Sequence, residues 1–499
     1  MVNGPSPPPP AGAVSTAAPV RDRRSGATAP VVVTAEWKLA RGARVALLAF
    51  TDFAALAIAG AIAYVVWARP VHQQSAGQYF DLLPVVVLFL LGYAQAGLYP
   101  GFGLGPVETL RRVTYVTAIG FLVVATLSFA LKVPHLYSRF TFAIAFALSL
   151  ALVPIGRAIV TRLVHRVRWW SEPVIVVGTG ARSAKAIRNL RSARHLGYRP
   201  AGVIAPAPTA ATEVEGTRVL GDLDRAPLLA RQGFRVALLE TDQIQDRAIL
   251  DRLHQHFRHV VLLREYDDLP VEGLQVRNLG GLVGIEYTNN LLRHSNQVVK
   301  RALDLAIGGA ALVAAAPVIA AAILLVKLID RGPAFFRQSR AGLNGRRFTV
   351  PKIRTMKADA EAALAEHLAA NPELRDEWDA NYKLKDDPRL ISGIGRLFRQ
   401  FSVDELPQLW SVLKGEMSLI GPRPFPDYHL ARFTPAFLEL RQRVRPGITG
   451  LWQITVRSDG GIEDQEALDS YYIRNWSVWL DLYILCRTLA AVASGRGAY

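Results

Sequence analysis

One cysteine in 499 residues, Cys486, leaves no partner for an intrachain disulfide and no CxxC pair for a metal. That agrees with a reducing compartment for the soluble parts. Acidic side chains are also scarce: 41 Asp and Glu face 58 Lys and Arg, a net charge of +17. Nucleic acid is one partner for such an excess. The basic residues, however, cluster beside apolar segments and not in a polar domain of their own. Anionic lipid and phosphorylated substrates account for them better, and no nucleic-acid partner is expected. The N-terminus lacks a clear cleavage site, and the first apolar stretch is too long for a signal peptide's core. Residues 1–40, rich in Pro, Ala and Ser with Arg21, Arg23 and Arg24, read as a disordered cytoplasmic tail.

Long apolar runs are what the chain has instead. Residues 44–67, 81–99, 113–132 and 139–161 are each long enough to cross a bilayer, giving a four-span helical region over 41–168. Arg41 and Arg44 precede the first span, Arg111 and Arg112 lie between the second and third, and Arg162, Arg166 and Arg168 follow the fourth. The positive-inside rule then puts both ends of the bundle in the cytoplasm. Asp52 lies within the first span. An intramembrane carboxylate points to function, whereas a position near the cytoplasmic end makes it interfacial.

From Glu172 the pattern turns α/β. Pro173 to Val177 reads as a buried strand, Gly178-Thr-Gly180 as a turn and Ala184–Arg191 as a helix, with further strands at 201–204, 235–239 and 259–263. A doubly wound, Rossmann-like domain over 172–292 follows. Its turn is G-x-G-x-x-S, with Ser183 where a dinucleotide fingerprint has its third glycine. Either the helix N-terminus holds a phosphate, or the turn is a tight connection that binds nothing. The second reading is favoured, because no clear ribose-binding acid follows the second strand.

A fifth uncharged run, 307–326, decides the topology. Arg293, Lys300 and Arg301 precede it, and Lys327, Arg331, Arg337, Arg340, Arg346 and Arg347 follow it. With positive charge on both flanks, both ends face the cytoplasm, and Pro317 near the middle bends the helix. The expectation is a re-entrant helix over about 300–328 that enters the membrane and returns; an ordinary kinked span is the alternative.

Beyond it, Asn344-Gly345 turns a short β-hairpin whose second strand carries Lys352, with Arg354 just after. A charged helical region runs from Ala358 to Leu384. The segment Ser402-Val-Asp404-Glu405-Leu-Pro407 then places two adjacent carboxylates upstream of Gly421-Pro422-Arg423-Pro424. Carboxylates are needed where a nucleophile or a divalent metal sits, and cations where phosphates bind. The plainer reading of Ser402 with Glu405 is a helix capping box, although Pro407 disfavours a regular helix from Ser402. Lys300 and Arg301 are compatible with a lipid phosphate at the interface, or with a positive flank ion-paired to Asp304. The aromatics of the last helix, Trp476, Trp479 and Tyr483, suit either an interfacial position or packing against the lobe.

Together with Asp386-Asp387-Pro388-Arg389, Arg445-Pro446-Gly447-Ile-Thr449-Gly450-Leu-Trp452-Gln453 and Arg457-Ser458-Asp459, these blocks make Asn296–Tyr499 resemble the bacterial sugar transferases, the monotopic phosphoglycosyl transferase superfamily. The preceding spans and α/β insert resemble the large form, such as undecaprenyl-phosphate galactose or glucose phosphotransferases. The resemblance implies an α/β monotopic catalytic domain over 296–499. It also implies transfer of a sugar 1-phosphate from a UDP-sugar, galactose or glucose, to undecaprenyl phosphate with release of UMP. This would be a first step in exopolysaccharide, capsule or O-antigen-type synthesis at the bacterial inner membrane. Carried over by motif, the nucleophile falls on Asp404 and the Mg²⁺-binding acid on Glu405. Arg423, Lys352, Arg354, Arg389 and Arg457 fall in phosphate-handling blocks. The family's usual Ser-Pro after the hairpin is here Asp330-Arg331, the small residue paired with Pro317 is Ala316, and Ile454-Thr455-Val456 stands where a Gly often precedes Arg-Ser. A membrane-anchored nucleotide-sensing assembly or regulatory protein is the alternative from another class, and a homodimer is compatible with the large membrane region. An inverting glycosyltransferase would release nucleoside diphosphate instead.

Overall fold

The computed structural model describes residues 35–493 except 74, 76, 78–82, 131–137, 166, 207–208, 241–246, 264–273, 280–281, 288–289, 358–359, 361–363, 365–367, 371–388 and 456–460. The expected tail over 1–34, most of the charged region 358–384, and Arg457 therefore lie outside the described residues. The chain forms two compact units. One comprises 172–188 and 199–263 with the segment ending at Gly42; the other comprises 43–171, 189–198 and 264–499.

Four described helices are long and apolar enough to cross a membrane: the segment Leu39–Val71, Pro106–Ala130, Arg139–Val164 and His294–Ile329. Of the expected second span, 81–99, the described part is the helix Leu83–Gln95, 13 residues that directly follow residues outside the description. A turn through Gly97, at φ +71°, ends it before residue 99. The fourth long helix is the one that follows the α/β sheet.

Asp52 is fully buried, and its partners explain how. Arg157 Nε donates to Asp52 Oδ1 at 2.8 Å and Arg157 Nη2 to Oδ2 at 2.5 Å, while the Tyr99 hydroxyl also donates to Oδ2. Arg157 lies near the C-terminal end of Arg139–Val164, so the pair ties the first long helix to the third. An unpaired charge here would be costly, and a bidentate pair removes that cost. Asp52→Ala is expected to destabilise the membrane region by about 3–5 kcal/mol by stranding the guanidinium. The double replacement Asp52→Leu with Arg157→Met should recover most of that loss; thermal unfolding in detergent measures both.

In the smaller unit, strands β1 (Glu172–Val177), β2 (Tyr198–Ala205), β3 (Glu213–Val214), β4 (Thr217–Asp222), β5 (Val236–Glu240) and β6 (His259–Leu263) form one sheet in the order β3-β4-β2-β1-β5-β6. β1–β5, β5–β6 and β2–β4 pair in parallel, and β3–β4 antiparallel. β3 and β4 were not legible as strands, because β3 has only two residues and β4 is half-exposed. Ile175, Val177, Ile204, Ala237 and Leu239 form the core with Leu229, Leu253 and Phe257. This compact part ends at Leu263, short of the expected 292, and the antiparallel pair β7 (Leu274–Leu279) and β8 (Leu282–Tyr287) belongs to the other unit. At the Gly178 turn, the Gly180 N–H and the Ser183 hydroxyl donate to the carboxylate of Glu240, at 2.9 and 2.7 Å.

In the larger unit, the helix His294–Ile329 is continuous through Pro317. β9 (Phe335–Ala341) and β10 (Arg347–Ile353) follow as the expected hairpin. Asn344 at φ +55° and Gly345 at φ +71° make its turn, the left-handed pair that an Asn-Gly sequence favours. The short parallel strands β11 (Ser418–Ile420) and β12 (Gly447–Thr449) sit over a core of Val412, Met417, Leu419, Tyr472, Ile473, Trp476, Leu480 and Ile484. For Trp476 packing is therefore the right reading. Trp479 lies 5.3 Å from Tyr115 of the helix Pro106–Ala130.

Candidate active site

The carboxylate pair sits on a single 3₁₀ turn, Val403–Glu405, followed by Pro407 and the helix Gln408–Lys414. Ser402 has φ +53° and makes no side-chain cap, so the capping-box reading fails. A non-glycine residue in that region costs about 1–2 kcal/mol, and here it reverses the chain into the turn. Two other elements close on the turn: β10 brings Lys352, and the loop after β11 brings Arg423.

Both cations converge on one oxygen. Lys352 Nζ lies 2.7 Å and Arg423 Nη2 2.8 Å from Glu405 Oε1, while Lys352 Nζ is 3.6 Å from Asp404 Oδ2. Burial opposes the Glu405 charge, yet Arg423 and Lys352 outweigh it and hold the group down at about 2. Asp404 is shifted the other way: burial raises it above the ordinary carboxylate range, Lys352 opposes, and the charge on Glu405 adds to the rise. Two neighbouring carboxylates thus have different characters. Glu405 is a fixed anion engaged with both cations; Asp404, only 8% exposed, stands 3.6 Å from Lys352 Nζ.

Arg423 is held from behind. Gly421 N–H donates to the Thr449 carbonyl and Gly447 N–H to the Pro422 carbonyl, each at 2.9 Å. A Cβ on Gly447 would meet the Gly421 nitrogen at 2.1 Å, so only glycine permits this crossing. Arg441 donates to the Arg423 carbonyl, pairs with Asp469 at 3.4 Å, and lies 5.0 Å over the Phe425 ring. Burial pushes Asp469 up to about 7, with Arg441 opposing. A free Asp titrates near 3.9, so between those values the folded lobe keeps a proton that the unfolded chain releases. Its contribution to stability then falls as pH rises through that window, by at most about 1.4 kcal/mol per pH unit. Wild type should lose thermal stability relative to Asp469→Asn between about pH 5 and about pH 7; a pH-independent difference would contradict this.

Of the basic residues expected at the site, Lys352 and Arg423 arrive there. Arg354 is a correction. Its Nη2 donates to the Asp330 carbonyl at 2.6 Å and its Nη1 pairs with the Asp330 carboxylate at 2.8 Å, anchoring the end of the long helix. Asp330, a departure from the family pattern, is therefore the partner of Arg354. Lys300 and Arg301 have internal partners, nearer the second of the two readings. Lys300 pairs with Asp481 at 2.7 Å, and Arg301 donates to the carbonyls of Val412 and Leu413 at 2.6 and 2.8 Å. Asp304 instead accepts from Ser418 Oγ and Leu419 N–H at 3.0 and 2.9 Å. Arg389 is half-buried, with its carbonyl bonded to Lys357 N–H at 2.8 Å.

Sequence reasoning missed Arg399, whose charge acts on Asp404 and whose Nε donates to Thr355 Oγ1 at 3.2 Å. Its approach depends on the reversal at Ser402, which Ser402 does not advertise. Arg441 and Asp469 were missed because 28 positions separate them.

Among the described residues no three His, Cys, Asp or Glu side chains cluster as a complete metal cage. Two adjacent carboxylates still suit Mg²⁺, which takes one or two carboxylates and completes its shell with water and substrate phosphate oxygens. Glu405 is the residue that would hold it.

Long apolar helices together with a lobe that sets two cations on a carboxylate pair fit a membrane-associated enzyme that handles phosphorylated groups. A family model described as bacterial sugar transferase matches residues 295–495, and one described as CoA-binding domain matches 96–262. The chain is 33% identical over 378 residues to the UDP-galactose-lipid carrier transferase of Erwinia amylovora, covering 72% of this chain and 76% of that protein. It is 32% identical to the undecaprenyl-phosphate galactose phosphotransferase of Salmonella typhimurium, covering 73% of this chain and 77% of that one. Against the UDP-glucose:undecaprenyl-phosphate glucose-1-phosphate transferase of Caulobacter vibrioides, identity is 38% over 40% of this chain and 72% of that protein. The chain belongs to the bacterial sugar transferase family. It is a membrane protein and a phosphoglycosyl transferase.

Proposed function

We propose that this enzyme transfers galactose 1-phosphate or glucose 1-phosphate from the UDP-sugar to undecaprenyl phosphate, in two displacements through Asp404, at the start of a glycan assembled on that lipid. The observation that carries the proposal is the unequal pair: Glu405 bridged to Lys352 and Arg423, with Asp404 beside it. In the first displacement an Asp404 oxygen attacks the β-phosphorus, the bond to the bridging oxygen of UMP breaks, and UMP leaves. In the second, an oxygen of the lipid phosphate attacks the same phosphorus. The bond to Asp404 breaks, giving the lipid diphosphate sugar and a free carboxylate. Arg423 and Lys352 offset the charge that a diphosphate brings toward a carboxylate. Mg²⁺ bound at Glu405 would supply further neutralisation of phosphate charge.

The acceptor phosphate is attached to a membrane lipid, and the long helix supports its delivery. Ile307, Ala311, Leu312 and Ala315, before Pro317, pack on the core that contains Val412 and Leu419. Ala322 and Val326, after it, pack with Ile353, Ile394 and Phe398. Asp304 to Val326 would span about 33 Å if straight, the thickness of the hydrocarbon. A lobe that meets both halves favours a helix that dips in and returns, with the lobe on the cytoplasmic face. An open cleft of about 510 Å³ lined by Ile323, Lys327, Pro333, Ala334, Phe335 and Arg337 combines apolar walls with two cations. It adjoins β10 through the pairing of Phe335 with Ile353 and Arg337 with Pro351, and suits a polyprenyl phosphate.

Asp404→Asn is expected to lower transfer by at least about 10³-fold and to abolish the phosphosugar adduct, with UMP the nucleotide released by wild type. Release of UDP, or full activity of the variant, would refute the mechanism. The topology has its own test, because Cys486 is exposed and is the only cysteine. An impermeant thiol reagent applied to intact cells should leave it unlabelled until lysis; labelling from outside would overturn the orientation.

A further inference from the structure

A CoA-binding family model covers the α/β sheet, yet the place where such a fold takes a ligand phosphate already holds an anion. In a doubly wound sheet, ligands bind beyond the strand C-termini where the strand order reverses. Here that point lies between β1 and β5, with β2 on the other side of β1. The Gly178-Thr-Gly180 turn leaves β1 and opens the helix Ala181–Ser192, whose first N–H groups would receive a phosphate. Glu240, the last residue of β5, occupies them. It accepts from Gly180 N–H at 2.9 Å, from Arg182 N–H at 3.3 Å and from Ser183 Oγ at 2.7 Å.

The sequence of the turn fits the carboxylate. A Cβ on Gly180 would meet Glu240 Oε1 at 2.4 Å, and one on Gly178 would meet Oε2 at 2.6 Å. The two glycines that would let a backbone approach a diphosphate thus make room for this side chain. Ser183, in place of the third fingerprint glycine, is buried and supplies the third donor. The other requirement is also missing, because β2 ends at Ala205 followed by Pro206, with no carboxylate there for a ribose.

We infer that Glu240 is the resident anion of this turn, and that the turn is therefore closed to CoA and to nucleotide diphosphates. An incoming phosphate would have to displace a like charge that already satisfies the same three donors. The lobe is a Rossmann-like scaffold with an internal substitute for its ligand.

The test is titration calorimetry of the full-length protein in detergent with CoA, in wild type and in Glu240→Ala. CoA is the probe because a uridine nucleotide would also report on the catalytic lobe. Wild type should show no saturable binding at this turn up to about 1 mM, and Glu240→Ala should bind at least about tenfold more tightly. A folded Glu240→Ala that binds CoA no better than wild type would overturn the inference, whether neither binds or both bind equally. Should Glu240→Ala not fold, Glu240→Ser, which also withdraws the carboxylate from the three donors, decides the same comparison.

Discussion

The site depends on one oxygen atom, Glu405 Oε1, on which a lysine from a hairpin and an arginine from a distant loop both converge. Lys352 and Arg423 would repel one another if brought together alone. The carboxylate between them makes their approach favourable, and in doing so becomes a strongly held anion. Asp404 is on the same turn and lies outside that close bridge, 3.6 Å from Lys352. The difference in environment between two adjacent acids follows from geometry, since as residue types they are nearly equivalent.

The same logic of internal partners governs the rest of the basic excess. Lys300 with Asp481, Arg301 with the carbonyls ending a helix, and Arg354 with Asp330 tie the long apolar helix to its lobe at both ends. These buried or half-buried contacts give the helix fixed attachment points that apolar packing alone would leave free to slide. Asp52 with Arg157 does the equivalent inside the membrane region. A charge count reads all of these as surface positive charge; the fold uses several of them as fasteners.

In the α/β unit an internal carboxylate stands where relatives of this fold place a ligand phosphate. A sheet lobe that completes its own anion site has no need of a bound nucleotide to be stable. The fold class thus persists while the binding function that it hosts elsewhere does not follow from it.

Much was legible in the residues. Long uncharged runs read as membrane helices because no other environment suits them. Asn344-Gly345 read as a hairpin turn because both residues tolerate positive φ, and adjacent acids ahead of a Pro-Arg-Pro loop read as phosphate chemistry. Which cations reach those acids was not legible. Lys352, Arg354, Lys300, Arg301 and Arg423 are equally good candidates by type, and only the fold sends two of them to Glu405 and three to other partners. Arg399 and Arg441 escaped notice because their contacts depend on a left-handed serine and on pairings between separate elements. Sequence determined the chemistry available, since side-chain type fixes charge, polarity and turn preference locally. Tertiary structure decided the assignment, because whether a cation meets a substrate or an internal carboxylate depends on distances of a few ångströms between segments far apart in the chain.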